Sequence, residues 1–155
     1  TMEFSFCSVS LHRVLNEIGS AQRINMREGV ELLLDLPGQE VTVYTDPARL
    51  SQVINNLVNN AIKFTSEGNI RIGYRPAASG YVNIFVEDTG TGMSREVLEH
   101  IFDRFYKGDS FKQGTGLGLS ICKTIVKRFE GKIEVTSTPG KGTCFTITLP
   151  LKVEE

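Results

Sequence analysis

The stretch that decides the fold is residues 46–65, DPARLSQVINNLVNNAIKFT. Its apolar residues recur at intervals of three and four, as on one face of an amphipathic helix. They are Leu50, Val53, Ile54, Leu57, Val58, Ala61 and Ile62. Asn56 and Asn60 fall one turn apart at the border of that face, beside Lys63. Asparagine is a poor helix former, so the pattern predicts a core helix whose edge presents neutral oxygen ligands.

Two glycine-rich loops follow this helix along the chain. The first, Asp88 to Met93, closes a strand-like run, and the second, Gln113 to Leu119, opens a helix-like run. Glycine lets the backbone pass close to a ligand, and successive amides before a helix suit a phosphate. Either loop alone is weak evidence, because turns also use glycine. An asparagine-lined helix followed by both loops is a more specific indication of a nucleotide site.

Five motifs occur in a fixed order between residues 4 and 150. They are an asparagine box at 56–65, a glycine box at 88–93, a phenylalanine box at 101–107, a second glycine box at 114–119 and Gly-Lys-Gly-Thr-Cys-Phe at 140–145. This order resembles the ATP-binding catalytic domain of the sensor histidine kinases of two-component signalling. The resemblance implies the Bergerat (GHKL-type) ATP-binding fold, with ATP and Mg²⁺ as cofactors.

Periodicity along the chain predicts an α+β fold, a two-layer α/β sandwich with a mixed sheet of about five strands covered by three main helices. Ser10 is predicted to cap a first helix that runs to about Arg27, and Ser94 to begin a short helix. A last helix is expected over 119–129. Strands are predicted at 30–36, 40–45, 69–75, 81–87, 132–137 and 142–149, the first two joined by a turn and the others forming two hairpins. Residues 1–155 are interpreted as one domain.

Composition limits the function without identifying it. Of 155 residues, 40% are hydrophobic and 23% charged, as in ordinary soluble domains. A formal net charge of −1 argues against a broad nucleic-acid surface. The sequence has neither a signal-like segment nor an eighteen-residue apolar run, so we expect this domain to be cytoplasmic and to make no membrane contact. An inner-membrane anchor elsewhere in the parent protein is left open. Cys7, Cys122 and Cys144 have unrelated spacings and are interpreted as free thiols.

The resemblance implies roles for individual polar residues. Asn60 would hold Mg²⁺ through its side-chain oxygen, Asn56 would lie near the triphosphate, and Lys63 would contact phosphate. Asp88 would accept a hydrogen bond from the exocyclic amine of adenine and so select adenine over guanine. Lys107 would reach the γ-phosphate as a point charge. Asn56 and Lys107 are the predicted catalytic residues.

The glycine boxes supply the other predicted nucleotide contacts. Gly90 and Gly92 would let the loop approach base and ribose, Met93 would pack on the adenine, and the second box would cradle phosphates. The two boxes contribute Gly90, Gly92, Met93, Gly114, Thr115, Gly116, Leu117, Gly118 and Leu119, and the motif at 140–145 adds Thr143. Residues 103–113 are a predicted lid. Phe102 and Phe105 fit either a lid contact or plain core.

The implied reaction is transfer of the γ-phosphoryl group of Mg-ATP to a histidine on a separate dimerisation and phosphoacceptor domain. The receiver domain of a response regulator would be an indirect partner. His12 and His100 lack the sequence setting of family acceptors, so the acceptor domain is expected to be absent from residues 1–155. Asn56 stands where gyrase-type, mismatch-repair and chaperone ATPases carry a water-activating glutamate, and an amide accepts no proton at neutral pH.

Two other functions remain open on the residues alone. A serine-directed kinase that regulates sigma factors has a related fold, but usually keeps the glutamate that Asn56 replaces. A degenerate nucleotide-sensing module is a non-enzymatic alternative, against which Asn60, Asp88 and the loop glycines argue. A Rossmann domain is less suitable, because an early strand, Gly-x-Gly-x-x-Gly and helix unit is absent.

Overall fold

The computed structural model describes residues 2–104 and 118–152, which form an α+β fold. Within these residues the elements follow the order β1 (Cys7–Ser10), α1 (Leu11–Gln22), β2 (Val30–Asp35), β3 (Thr42–Thr45), α2 (Pro47–Phe64), β4 (Gly68–Ala77), β5 (Tyr81–Asp88), α3 (Arg95–His100), α4 (Gly118–Arg128), β6 (Lys132–Thr138) and β7 (Gly142–Pro150). The three main helices that the sequence predicts are α1, α2 and α4.

The main sheet has five strands in the order β2-β4-β5-β7-β6. β2 runs parallel to β4, and the other neighbours are antiparallel, so the sheet is mixed as predicted. Both predicted hairpins, β4–β5 and β6–β7, are confirmed. The β5–β7 register places Asp88 directly opposite Thr143. Two predicted site residues thus meet at one end of the sheet.

The predicted strands at 30–36 and 40–45 both form, but in different sheets. β3 pairs antiparallel with β1, a strand that the sequence analysis did not predict. Only four residues long and with one buried side chain, β1 is too short for alternation to reveal it. The first helix also ends at Gln22 rather than near Arg27, because a 3₁₀ turn takes over at Arg23–Asn25.

The core lies between the helices and one face of the main sheet. Leu50, Val53, Ile54, Leu57 and Val58 on α2 are each at most 1% exposed, which confirms the predicted helical face. They pack with the inward side chains of β4 and β5. Full burial of such a side chain stabilises a fold by about 1.5–3 kcal/mol. Burial of this face therefore fixes the position of α2, including its asparagine edge, against the sheet.

Side-chain caps set where the helices begin. Ser10 accepts from the backbone N–H of Arg13 at 3.2 Å, as predicted, and Ser94 caps α3 through Val97 at 3.3 Å. Asp46 caps α2 by accepting from Arg49 N at 3.1 Å, and its other oxygen accepts from Ser5 N at 2.7 Å. An N-cap of this kind contributes about 1 kcal/mol.

Residues 2–6, here called the N-terminal strap, cross the N-terminal end of α2 and the C-terminal end of α4. Phe4 and Phe6 both meet buried Phe129 edge to face, at centroid distances of 5.7 and 5.9 Å. The guanidinium groups of Arg128 and Arg49 lie over the Phe4 ring at 4.5 and 5.6 Å. Together with the Ser5 to Asp46 bond, these contacts join the strap to both helices.

No helix in the described ranges is both long and apolar enough to cross a membrane.

Candidate functional site

The four asparagines of α2 divide into two pairs, of which only one contacts α1. Gln22 of α1 donates through Nε2 to Asn55 Oδ1 at 2.8 Å and to Asn59 Oδ1 at 3.2 Å. Gln22 is itself buried, so this pair stabilises the α1–α2 contact. Asn56 faces the other way, and its Nδ2 donates to the carbonyl oxygen of Gly118 at 3.4 Å. The edge of α2 that was predicted to bind ligand thus points toward the start of α4.

Asn60 is the most unusual of these amides. It is 8% exposed, and its side-chain nitrogen is buried with no hydrogen-bond partner among the residues that the structure describes. A buried polar atom without a partner costs about 1–3 kcal/mol, so native proteins keep few of them. Asn60 lies one turn from Asn56, and its side-chain nitrogen is therefore available to donate to a ligand.

Asp88 ends β5 as a buried carboxylate held by two backbone amides. It is 6% exposed, and its Oδ1 accepts from Gly90 N at 2.9 Å and from Thr143 N at 3.3 Å. Burial raises the pKa of this carboxyl above its ordinary value, although the two amide donors oppose the shift. Both amides bind the same oxygen, which leaves Oδ2 to a ligand donor.

Close backbone contacts explain the glycines of the first loop. A Cβ at Gly90 would overlap the carbonyl oxygen of Phe64, and one at Gly92 would overlap that of Thr138. Gly92 also has φ +72°, which side-chain-bearing residues rarely adopt. Met93, 2% exposed, packs in the core just beyond. The loop is thus fixed between α2 and β6 whether or not it also approaches a nucleotide.

Ser137 is a polar site residue that the sequence analysis missed. It lies at the end of β6 and hydrogen-bonds Met93 N at 2.8 Å and Thr143 Oγ1 at 2.8 Å. It therefore joins the first glycine loop to β7, beside Asp88. In the sequence it is one small polar residue in the run Thr136-Ser137-Thr138, and nothing in that run distinguishes it.

The other predicted site residues fall at the ends of α2 and α4 or outside the described residues. Lys63 is exposed in the last turn of α2, while exposed Gly118 and buried Leu119 begin α4. Outside the described residues lie Lys107, Gly114, Thr115, Gly116 and Leu117, together with Phe105 and residues 105–113 of the predicted lid. Phe102 packs edge to face on buried Phe145 at 6.2 Å, a core contact.

The cysteines and histidines have the structural character predicted for them. All three cysteines are free, with Cys7 exposed, Cys144 half-buried and Cys122 buried between α4 and α2. Burial raises the pKa of the Cys122 thiol to about 12, so it is not a nucleophile at neutral pH. His12 hydrogen-bonds the Tyr74 hydroxyl, and His100 bonds Asp103 at 2.9 Å.

A cavity of about 320 Å³ opens at the ends of β5, β6 and β7, lined in part by Asp88, Ser137 and Thr143. Its lining also includes Glu87 and Cys144 and does not include Asn60 or Met93. It lies at this end of the sheet, and no residue of α2 is part of its lining. Nowhere in the described ranges do three or more His, Cys, Asp or Glu side chains group closely enough to hold a metal ion.

A protein-family comparison accounts for this combination of asparagine helix, buried carboxylate and glycine loop. Residues 45–153 match the family described as histidine kinase-, DNA gyrase B- and HSP90-like ATPase. The chain belongs to this family. The match begins at the residue before the α2 cap and includes every described site residue.

Similar proteins narrow the resemblance to histidine kinases. The adaptive-response sensory kinase SasA of Synechococcus elongatus is 39% identical over 144 residues, covering 91% of this chain and 36% of SasA. The sensor histidine kinase RcsC of Escherichia coli is 44% identical over 119 residues, 74% of this chain and 12% of RcsC. The chain thus spans about a third or less of these relatives.

Solved structures agree over nearly the whole chain. The catalytic domain of histidine kinase ThkA has a TM-score of 0.84 at 29% identity, with 98% of this chain and 100% of that chain covered. Full-length ShkA in complex with AMPPNP has a TM-score of 0.89 at 27% identity, with 99% of this chain and 32% of that chain covered. The resemblance to a histidine kinase catalytic domain is confirmed, and so is its fold.

Proposed function

We propose that this chain binds Mg-ATP and donates the γ-phosphoryl group to a histidine on a separate dimerisation and phosphoacceptor domain, as the first step of a two-component phosphorelay. The observation that carries the proposal is the buried Asp88 carboxylate, held by Gly90 N and Thr143 N at one end of the sheet. Residues 1–155 would be one catalytic domain of a longer kinase.

The base would bind at Asp88. Two backbone amides hold Oδ1. Oδ2 would accept a hydrogen bond from the exocyclic amine of adenine. Guanine presents a carbonyl oxygen at that position, which a carboxylate repels. Hydrogen bonds to charged groups contribute about 1.5–3 kcal/mol, enough to favour adenine by one to two orders of magnitude.

The triphosphate would lie along the edge of α2, where Asn60 would hold Mg²⁺. An amide oxygen is the kind of hard ligand that magnesium accepts, and this ion typically takes only one or two ligands from protein. Supporting this role, Asn60 lies one turn from Asn56 on the edge of α2 that points toward the start of α4. Its buried side-chain nitrogen, which has no partner among the described residues, would be left to donate to an oxygen of the ligand. When bound, Mg²⁺ would neutralise charge that develops on the phosphate oxygens. Asn56 and Lys63 would contact the phosphates on the same helix edge.

The transfer breaks the bond between the γ-phosphorus and the oxygen that bridges it to ADP, and forms a bond from phosphorus to an imidazole nitrogen. ADP leaves with the negative charge, and the imidazole loses its proton to solvent. The contribution of the protein would be positioning and charge neutralisation rather than covalent chemistry. Lys107 would supply charge at the γ-phosphate. Asn56 would leave water unactivated, so that ATP persists until the acceptor histidine arrives.

Calorimetric titration of this chain with AMPPNP tests the proposal. It is done with and without Mg²⁺ and with the guanine counterpart GMPPNP. We expect binding that is adenine-selective and strengthened by Mg²⁺. Phosphorylation of the acceptor histidine from ATP, measured in the longer parent protein, tests the second step.

Each result has a distinct meaning. Equal binding of the two nucleotides would contradict the role of Asp88, and magnesium-insensitive binding would contradict the role of Asn60. Binding without phosphotransfer in the parent would favour a nucleotide-sensing module. Phosphotransfer to a serine rather than a histidine would favour the sigma-factor type of kinase.

A further inference from the structure

Three groups converge on the hydroxyl of Ser137 at the end of β6. The backbone N–H of Met93 donates to Ser137 Oγ at 2.8 Å. The carbonyl oxygen of Gly142 accepts from Oγ at 3.0 Å, and Thr143 Oγ1 lies 2.8 Å away. The hydroxyl therefore connects the first glycine loop with the start of β7.

Only one proton arrangement satisfies all three contacts together. A serine hydroxyl has one proton and two lone pairs. Since the carbonyl of Gly142 can only accept, the Ser137 proton goes to it. The two lone pairs then accept from Met93 N–H and from the Thr143 hydroxyl. The Thr143 proton is thus committed to Ser137, and its oxygen can offer only a lone pair to a ligand.

Thr143 is the direct neighbour of Asp88. The two residues are register partners across β5 and β7, and Thr143 N donates to Asp88 Oδ1 at 3.3 Å. Thr143 is 4% exposed and Asp88 6%. A ligand that reaches Asp88 therefore meets a second buried oxygen beside the carboxylate, in a place where water compensates little.

We propose that Ser137 is a positioning residue that keeps Thr143 an acceptor beside Asp88, so that the site favours a 6-amino purine over a 6-oxo purine. The proposal rests on nucleotide binding at Asp88, as set out above. Two acceptors side by side suit an amine and leave an oxo group unpaired. A buried polar group left unpaired discriminates against a ligand more strongly than a missing apolar contact does.

A comparison of two nucleotides that differ at this position tests the role of Ser137. The chain is titrated by calorimetry with AMPPNP and with inosine 5′-(β,γ-imido)triphosphate, which has oxygen in place of the 6-amino group. In Ser137→Ala the Thr143 hydroxyl is released and can donate to that oxygen. We expect the inosine analogue to bind roughly tenfold more tightly to Ser137→Ala, the factor expected for one hydrogen bond.

Matched variants separate this effect from a general disturbance. Thr136→Ala removes a hydroxyl from the opposite, exposed side of the same strand and is expected to leave both affinities unchanged. Thr143→Val in the Ser137→Ala background is expected to abolish the gain. The proposal would be overturned if Ser137→Ala weakened the binding of both nucleotides equally, or left the ratio of their two affinities unchanged. A purely structural role of Ser137 predicts no gain in affinity for the inosine analogue.

Two further measurements decide the remaining cases. If Ser137→Ala does not fold, Thr143→Val alone must narrow the preference for AMPPNP, and an unchanged preference overturns the proposal. If the unsubstituted chain does not bind AMPPNP, the proposed function fails, and proton NMR still decides the arrangement. A slowly exchanging Thr143 hydroxyl proton with an Overhauser contact to the Ser137 β-protons is expected, whereas a rapidly exchanging one overturns the proposal.

Discussion

At the scale of single residues, the buried carboxyl of Asp88 and the buried amide of Asn60 are both unfavourable for the unliganded fold. Asp88 is desolvated, which raises its pKa, and the Asn60 nitrogen lacks a described partner. Proteins retain such groups where function requires them and compensate elsewhere in the fold. Substitutions that remove the charge of Asp88 or the amide of Asn60 should therefore maintain or raise the stability of the unliganded chain and weaken ligand binding.

Asp88→Asn is predicted to abolish adenine selectivity while the fold is maintained. The asparagine oxygen can still accept from Gly90 N and Thr143 N, but the ligand then meets an amide N–H instead of a carboxylate oxygen. We expect a loss of about 10- to 100-fold in AMPPNP affinity by calorimetry. A thermal unfolding midpoint no lower than that of the unsubstituted chain is the control. Unchanged affinity would contradict the placement of the base.

Asn60→Leu is predicted to stabilise the unliganded chain and remove the effect of Mg²⁺ on AMPPNP binding. Leucine has a similar size and leaves no buried nitrogen without a partner, so we expect a gain of about 1 kcal/mol in urea denaturation. Asn59→Leu is the matched control, because exposed Asn59 accepts from Gln22 rather than facing the site. It should keep the magnesium effect. Loss of that effect in both variants would contradict the special role of Asn60.

At the scale of elements, α2 has a different function on each side. Its apolar face forms the core, one amide pair binds Gln22 of α1, and the other pair faces the site. The N-terminal strap joins α2 and α4 at the ends far from Asn60 and Gly118. The spacing of the two helices is thus fixed at one end by this strap, while their other ends border the candidate site.

Phe4→Ala is predicted to weaken this junction. The ring is half-buried and packs on Phe129, with Arg128 above it at 4.5 Å, so we expect a loss of about 2 kcal/mol in the free energy of unfolding. Chemical denaturation measures it. Ile24→Ala is the control, because Ile24 is 86% exposed and its substitution should change the free energy of unfolding by almost nothing. A Phe4→Ala loss as small as that of the control would show that the strap does not stabilise the helices.

At the scale of the whole molecule, the ionisation of Asp88 should make stability depend on pH. Its pKa in the folded chain is raised above the ordinary 3.8, so the folded state holds this proton to higher pH than the unfolded state does. The contribution of Asp88 is therefore fully present below 3.8 and is lost as pH rises through the raised pKa.

The difference in unfolding free energy between Asp88→Asn and the unsubstituted chain isolates this contribution. We expect the difference to shift in favour of the variant as pH rises above about 4 and to level off once Asp88 is ionised. Urea denaturation over a pH series measures it. Glu134→Gln, at an exposed pair with Lys132, is the control and should change little. A difference that does not vary with pH would contradict the raised pKa.

Local patterns were sufficient to predict most of the fold. The three-and-four spacing of Leu50 to Ile62 predicts α2, and Ser10 and Ser94 mark helix starts, because these signals arise between residues near in sequence. Both hairpins follow from alternation and turn residues. Strand β1 and its pairing with β3 were missed, since four residues carry too little pattern and the pairing joins segments more than thirty residues apart.

For the candidate site, the sequence by itself determined which residue types are present and in what order, and this order was enough to indicate the family. Only the tertiary structure decided how they are used. It assigned Asn55 and Asn59 to Gln22, left the Asn60 nitrogen without a described partner and brought Ser137 to Thr143 beside Asp88. These contacts depend on strand register and helix packing, which bring together residues far apart in the chain. No local pattern encodes such distances.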